Sequence, residues 1–395
     1  MPRFGLSIIG LVVLALVATA CGDTPPPSTS GQPGASQGAE SPGAESPAAE
    51  SPDAESPGES TPAESNAPSE EPPAAGEGRL ATVQDRGELI CGVNGSLPGF
   101  SFLDEDGENT GFDADFCRAL AAAVLGDPDA VDFRAINADQ RGPALQTGEV
   151  DVLIRNTTWT VSRDTAWGLF APTTFYDGQA IMVNSTLTDA TTIDELEGAA
   201  ICVQSGTTTE LNLADRFVDI DYEPIVFPEI DPTYAAYEEG RCDAVTSDRS
   251  QLVARRTAFA NPDEHVILEE VMSKEPLGPV APLGDDQWFN VVKWVVYATI
   301  EAEELEIDSS NVADLVESSE NPVVQRLLGV TPEGTDPFES GLGLEPDWVV
   351  TMIGAVGNYG EIYDRNLGPG TPFELERDLN SLWTDGGLLY APPYR

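Results

Sequence analysis

The sequence predicts an α/β protein built on parallel-type sheets. Two observations carry this. Short apolar strands alternate with helical patterns from residue 80 onward, and the same β-α-β-α-β order occurs twice. The first cycle opens with the strand ELICGVN (88–94). The amphipathic helix FDADFCRALAAAVLG (112–126) and the strand VDFRAI follow it. RGPALQTGEV then reads as a helix leading into DVLIRN. The second cycle has a strand in GAAICVQSG (198–206), a helix in TTTELNLADRF and a strand in YEPIVF. TYAAYEEGRC is its second helix, DAVTSD its third strand, and the helix RSQLVARRTAF comes after it. Near the C-terminus, WVVTMIGAVGNYGEIYDR reads as one helix followed by a Gly/Pro-rich tail. MIGAVG within it is too short to span a bilayer.

Ahead of these cycles lie two segments that are not fold. Met1-Pro2-Arg3 supplies a short positive region, and FGLSIIGLVVLALVATA is apolar. This pattern is a signal peptide, residues 1–21. Ala18-Thr19-Ala20-Cys21 resembles a bacterial lipobox, in which Cys21 is lipidated and becomes the new N-terminus. Ala18 departs from the Leu preferred there. An ordinary signal cleaved after Ala20 and an uncleaved anchor are the other readings. Residues 22–78 repeat an A-E-S-P theme and hold no Lys, Arg or aromatic residue. Such a segment buries too little apolar surface to offset chain entropy and stays disordered. Fully extended at about 3.1 Å per residue, it would reach roughly 175 Å. It reads as a tether that holds a folded domain off a membrane.

The chain has 395 residues, with 68 Asp and Glu against 19 Lys and Arg, a net charge of −49. Phosphate backbones need cationic patches, so nucleic acid is excluded as a partner. Only Lys274 and Lys293 are lysines. An acidic, Lys-poor surface suits salty media, where self-repulsion is screened. Beyond Cys21 there are Cys91, Cys117, Cys202 and Cys242. In an exported chain they are disulfide candidates with three possible pairings. Cys91–Cys117 and Cys202–Cys242 are favoured because each pair falls within one cycle; four buried free thiols are the alternative. One His and no close Cys-x-x-Cys leave no zinc pattern. No cofactor is implied.

In parallel sheets, ligands sit beyond the carboxyl ends of the strands. That rule brings four loops together: 94–100, including Asn94; 156–163; 205–209; and 246–249. DVLIRNTTWTVSRD (151–164) leaves an apolar strand and at once presents Asn156, Thr158, Trp159 and Arg163. Gly206 permits a turn, after which Thr207 and Thr208 open a helix whose free N–H groups attract a carboxylate. Thr207 and Glu210 also have capping-box spacing, so Thr207 has a purely structural reading. Asp248 shares that spacing with Gln251 and is either a cap or a carboxylate awaiting a cation. Arg163 is either an anion ligand or a surface ion pair with Asp164 or another acid. Taken together, Arg163, Thr158 and Thr208 would hold a carboxylate and Asp248 an ammonium. These are the two poles of an α-amino acid.

From about residue 80 to 329 the sequence resembles the solute-binding proteins of polar amino acid ABC transporters, most of all the general L-amino-acid-binding type. The resemblance rests on GELICGVNGSLPGFSF, TGFDADFCRALAAAVLGD, ALQTGEVDVLIRNTTWTVSRDTAWGLF, ICVQSGTTTELNLAD, AAYEEGRCDAVTSDRSQL and NPVVQRLLG. It implies a two-lobed venus-flytrap fold of the type II periplasmic-binding-protein class. The first lobe would comprise 79–178 plus 274–395 and the second 179–273. FYDGQ (175–179) and 272–279 would be the hinge strands. By motif, Asn156, Thr158 and Arg163 fall on first-lobe ligand positions. Thr207 and Thr208 fall on the helix start that grips the carboxylate, and Asp248 on the acid that takes the ammonium. The implied protein is a monomeric, lipid-anchored extracytoplasmic receptor delivering an L-amino acid to a membrane permease.

Two features depart from relatives that prefer cationic ligands. The loop Asn94-Gly95-Ser96-Leu97-Pro98 has no acid or aromatic residue, and 138–142 reads ADQRG without an aromatic lid. Trp159 or Phe100 would cover the ligand instead, with core packing the other reading for Trp159. Broad or neutral-polar specificity follows as an expectation. Enzymes of this fold, such as exported cyclohexadienyl dehydratases, are a rival class, and an amino-acid sensor is another. No nucleophile elbow appears, and His265 in NPDEHVIL reads as a loop residue away from the strand ends. Glu149 and Asp151, two positions apart, are a possible carboxylate pair.

Overall fold

The computed structural model describes residues 78–395; Cys21, the signal segment and the tether up to residue 77 lie outside the described residues. The folded chain begins with helix α1 (Arg79–Arg86) and strand β1 (Leu89–Val93). A small antiparallel sheet follows: β2 (Ser96–Leu97), β3 (Ser101–Leu103) and β4 (Asn109–Thr110). It delivers the chain through Gly111 into α2 (Phe112–Leu125). Gly111 has φ +124°, and a Cβ there would stand 2.3 Å from the Phe100 carbonyl oxygen, so only glycine fits. Helix α2 is buried on almost every residue, which its run of small alanines permits.

β5 (Val131–Ala135) pairs in parallel with β1. After α3 (Arg141–Thr147), β6 (Val152–Leu153) pairs in parallel on the other side of β1. Helix α4 (Val161–Ala166) and strand β7 (Gly168–Phe170) come next. The chain leaves through β8 (Phe175–Asp177) and enters β9 (Gln179–Asn184), every residue of which is buried. The second sheet is then built from β10 (Ala200–Gln204), helix α5 (Thr208–Arg216), β11 (Glu223–Phe227), helix α6 (Ile230–Glu238), β12 (Ala244–Asp248), helix α7 (Arg249–Arg256) and β13 (His265–Ile267). The return strand β14 (Glu275–Leu277) pairs antiparallel with β8, and β15 (Val280–Pro282) rejoins the first sheet. The two sheets run β5-β1-β6-β15-β7 and β11-β10-β12-β9-β13. Each has a parallel heart, as the repeated cycle requires, plus antiparallel strands where the chain passes between lobes.

The rest of the chain packs on the first lobe. α8 (Asp286–Glu304), α9 (Val312–Ser318), α10 (Pro322–Leu327), α11 (Trp348–Val356) and α12 (Tyr359–Asn366) share one core with α2. The long C-terminal helix expected from the sequence is two helices. Gly357 takes φ +87° and Asn358 starts the second with a capping box to Glu361, so local capping overrides the continuous apolar pattern. His265 is likewise not a loop residue. It opens β13, is buried, and its Nδ1 lies 2.9 Å from the Tyr237 hydroxyl. Phe100 is a core residue, with its ring edge-on to Phe112 and Phe175 at 6.0 and 5.2 Å, and does not cover a cleft.

Both favoured cysteine pairs are bonded. Cys91–Cys117 ties β1 to α2, and Cys202–Cys242 ties β10 to the turn before β12. Among the described residues, no helix is long and apolar enough to cross a membrane.

Candidate functional site

The carboxyl ends of β1, β6, β10 and β12 converge on one cavity between the sheets. From the first lobe it is lined by Asn94, Arg141, Arg155, Asn156 and Thr158. From the second come Gln204, Thr207, Thr208, Thr209, Ser247, Asp248 and Gln251. Polar contacts join the two walls. Arg141 Nη2 donates to the Gly206 carbonyl at 3.1 Å, Arg255 Nη2 to the Ser96 carbonyl at 2.7 Å, and Asn137 Nδ2 to Glu229 Oε1 at 2.7 Å. Gly206 is required here: its φ is +70°, and a Cβ would lie 1.7 Å from Asp139 Oδ1 of the first lobe.

Local structure explains why each group points inward. β6 ends at Leu153, and the chain turns sharply at Asn156, which has φ +31°, a backbone region tolerated by few residues besides glycine and asparagine. The turn is held from three sides. The Asn156 N–H donates to Asp113 Oδ2 at 2.7 Å, its Oδ1 accepts from Asn94 at 3.2 Å, and its Nδ2 donates to Gln251 across the cavity at 3.4 Å. Asp113 is fully buried, and desolvation pushes its carboxyl up to about 7 against the pull of the Asn156 N–H and Arg155.

On the opposite wall, α5 begins beyond Gly206. Thr207 is its cap: the hydroxyl accepts from the Glu210 N–H at 3.1 Å and donates to the Gln204 carbonyl at 2.7 Å. The structural reading of Thr207 therefore holds, although the residue also lines the cavity. Thr208 Oγ1 donates to Glu275 Oε2 at 2.8 Å and lies 3.2 Å from Thr158 Oγ1. The backbone N–H groups of Thr208 and Thr209 have no protein acceptor, as expected in a first helical turn.

Asp248 ends β12 and stands at the cap position of α7, yet its side chain makes no capping bond. It is buried. Desolvation, then Asp177 and Glu275, push its carboxyl well above the usual range, while Arg141 and Arg163 oppose the shift. A buried acid held in this way gains most from a cation placed beside it. Asp177, in β8, accepts from the Ser250 N–H and hydroxyl. Glu275, in β14, accepts from Thr208, Asn212 and Ser273.

Arg163 is buried but is not a wall residue. Its Nη1 donates to the Thr158 carbonyl at 3.0 Å, and its guanidinium carbon lies 4.9 Å from the Trp167 ring centroid. Burial lowers its pKa, and the charges of Glu275 and Asp248 work against that. It therefore stands directly behind Thr158, within electrostatic reach of Asp248. The alternative reading of an ion pair with Asp164 or another acid does not hold: Arg163 forms no ion pair among the described residues, and Asp164 accepts from the Phe170 N–H. Trp159 lies outside the cavity lining, stacked on Phe170 at 5.8 Å, and the residue is 41% exposed. Asp151 is far from the cavity chemistry, paired with Arg79 and Arg86 and accepting from the Ile90 N–H.

Six wall residues escaped the sequence reading: Arg141, Arg155, Gln204, Thr209, Ser247 and Gln251. Arg155 was one position from a residue singled out, at the very end of DVLI, and Arg141 opens the helix after ADQ. A strand-end rule extended by one residue would have reached both Arg155 and Gln204, which stand just before the loops 156–163 and 205–209.

Comparisons with known proteins agree with this geometry. Residues 89–306 match the model of the bacterial extracellular solute-binding proteins, family 3. The chain is 52% identical over 328 residues to the general L-amino acid-binding periplasmic protein AapJ of Rhizobium johnstonii, covering 82% of this chain and 94% of that protein. It is 45% identical over 325 residues to the glutamate/glutamine/aspartate/asparagine-binding protein BztA of Rhodobacter capsulatus, covering 82% and 95%. Among solved structures, a periplasmic binding protein from Brucella ovis with glutathione bound superposes with a TM-score of 0.77 at 49% identity, covering 81% of this chain and all of that one. With two sheets closing on a polar cavity, and with identity of this extent along nearly the whole of its relatives, the chain belongs to the bacterial extracellular solute-binding proteins, family 3.

Proposed function

We propose that the protein is an extracytoplasmic receptor that captures an L-amino acid and delivers it to an ABC transporter permease. The observation that carries this is that one cavity holds a buried Asp248, which makes no capping bond, and a cluster of hydrogen-bond donors, Thr158 from the first lobe and the Thr208 and Thr209 N–H groups from the second. The ligand's ammonium sits at Asp248. Its carboxylate sits between the Thr158 hydroxyl and the free N–H groups of Thr208 and Thr209, with the Arg163 charge behind them. Asn94 and Asn156 hold the first-lobe wall in shape, and Thr207 fixes the start of α5. The names of AapJ and BztA support an amino acid as the ligand class.

Contacts to both walls form only when the lobes shut, so the ligand shifts the population toward the closed form by its differential affinity. That closed form is what a permease would recognise. Cys21 carries the lipid, and 22–78 keeps the receptor near its permease at raised effective concentration. No chemical step is assigned to the cavity.

Titration calorimetry of refolded, ligand-free protein against the twenty amino acids tests the reading. Saturable 1:1 binding of at least one L-amino acid is expected; no heat from any of them at millimolar concentration would exclude it. Intact mass of the membrane-extracted N-terminal peptide tests the anchor, with a diacylated peptide beginning at Cys21 expected.

A second reading is favoured by the Brucella ovis structure and its bound glutathione. The γ-glutamyl end of glutathione carries an α-amino acid group that would suit the same two poles in this cavity. Adding glutathione to the titration series separates the two.

A further inference from the structure

The two poles of an amino acid are met by Asp248 and by the donor wall around Thr158 and Thr208. That leaves two arginines of the cavity wall with no part in holding either pole. Arg141 and Arg155 are 3% and 4% exposed, and both line the cavity. Each is anchored by part of its guanidinium only. Arg141 Nε donates to the Ala138 carbonyl at 3.0 Å and Nη2 to the Gly206 carbonyl at 3.1 Å. Arg155 Nε donates to the Ile136 carbonyl. Arg141 Nη1 and both terminal nitrogens of Arg155 have no protein acceptor, and neither residue forms an ion pair with any described acid.

A buried guanidinium without a counter-ion is costly, and two near each other are costlier still. Burial, then Arg163 and Arg155, hold the Arg141 pKa well below its usual value; burial lowers Arg155 to about 10. The nearby acids do not cancel this charge. Asp113, pushed up to about 7, is only partly ionised near neutrality, Asp139 faces the Ser205 hydroxyl at 3.3 Å, and Asp248 and Glu229 act on these arginines without forming an ion pair with either. Both guanidinium ends therefore keep unused donors at the cavity wall.

We propose that Arg141 and Arg155 form a side-chain subsite for a second carboxylate, making dicarboxylic amino acids, glutamate and aspartate, the preferred ligands. This rests on the amino-acid reading above. A carboxylate offers acceptor pairs that match a guanidinium fork. The corresponding amide offers one acceptor, and its NH2 group would meet further donors. A cationic side chain would be repelled outright. The expectation of a neutral-polar preference came from the missing acid after the first strand; the missing acid still excludes cationic ligands, but the arginines shift the balance from neutral to anionic.

Calorimetry on ligand-free, refolded wild type with the matched pairs Glu/Gln and Asp/Asn at pH 7.5 tests this. At least one acid is expected to bind tenfold or more tighter than its amide. In Arg155→Gln and Arg141→Gln the acid-to-amide ratio should fall to about threefold or less, with far-UV circular dichroism confirming the fold. Amides binding as tightly as acids in wild type would overturn the subsite, as would a ratio that survives both substitutions. If either variant fails to fold, the wild-type ratio decides alone. Should no amino acid bind, the receptor reading itself has failed, a distinct result.

Discussion

The hydroxyl oxygens of Thr158 and Thr208 lie 3.2 Å apart across the cavity, one at the turn after β6 and the other at the start of α5. The Thr208 hydroxyl donates its hydrogen bond to Glu275 at 2.8 Å, so its oxygen is left to accept from Thr158. One small contact thus joins the first-lobe wall, the second-lobe helix and the return strand β14. A ligand carboxylate entering here competes for hydroxyls already oriented by their neighbours.

Asp248 is the cationic group's expected partner, and Asp248→Asn keeps its shape while removing its charge. Losing one side of a buried, charge-assisted contact costs about 2 kcal/mol or more, or roughly 30-fold in affinity. Calorimetry with the best amino acid measures this directly. A D248N protein that binds as tightly as wild type would remove Asp248 from the site.

Arg163 combines a charge, a bond to the Thr158 carbonyl and a stack on Trp167. Arg163→Lys keeps only the charge. Affinity is expected to fall on the order of tenfold, because the plane and the fork are lost. Arg163→Gln, without the charge, is expected to fall further. Equal affinities for the two variants would show that electrostatics from this position play no part.

The Cys202–Cys242 bond closes a loop with a sequence separation of 40 in the second lobe. Replacing both with alanine is expected to lower stability by about 2–4 kcal/mol through a freer unfolded chain. Denaturant unfolding of the double variant beside Cys91→Ala/Cys117→Ala, whose separation is 26, would read losses of similar size. A change in the denaturant slope would place the effect in the unfolded state's compactness.

Stability should fall as pH rises toward neutrality. In the unfolded chain Asp113 loses its proton near the usual 3.8; in the fold it holds the proton to about 7. The folded state binds more protons across that window, so the stabilisation present below it is lost through it. Asp177, pushed up to about 6 by burial, adds the same sign. Melting temperatures at pH 4.5 and 8 should differ less in Asp113→Asn than in wild type; an unchanged difference would sink the assignment.

Salt gives the last test. With a net charge of −49, self-repulsion is strong at low ionic strength. The melting temperature should climb from about 10 mM to 1 M salt as the Debye length shrinks from roughly 30 to 3 Å. A flat response would mean that the acidic surface carries no stability cost.

Much of this molecule was legible from the sequence because its signals are local. Apolar periodicity marked β1, α2, β10 and α5, and the repeated cycle implied parallel sheets with loops gathered at one edge. Capping spacing correctly marked Thr207, since a cap is satisfied by a residue three positions away. The same spacing was equally good at Asp248, where no capping bond forms. The competing interactions there come from Asp177, Arg141 and Arg163, which lie 71, 107 and 85 positions away in the chain. Only the tertiary structure decides which groups a strand end meets. It set Arg163 behind Thr158 and turned Arg141 and Arg155 toward the cavity. Their charges act across space, and crossovers of dozens of residues set the distances between them.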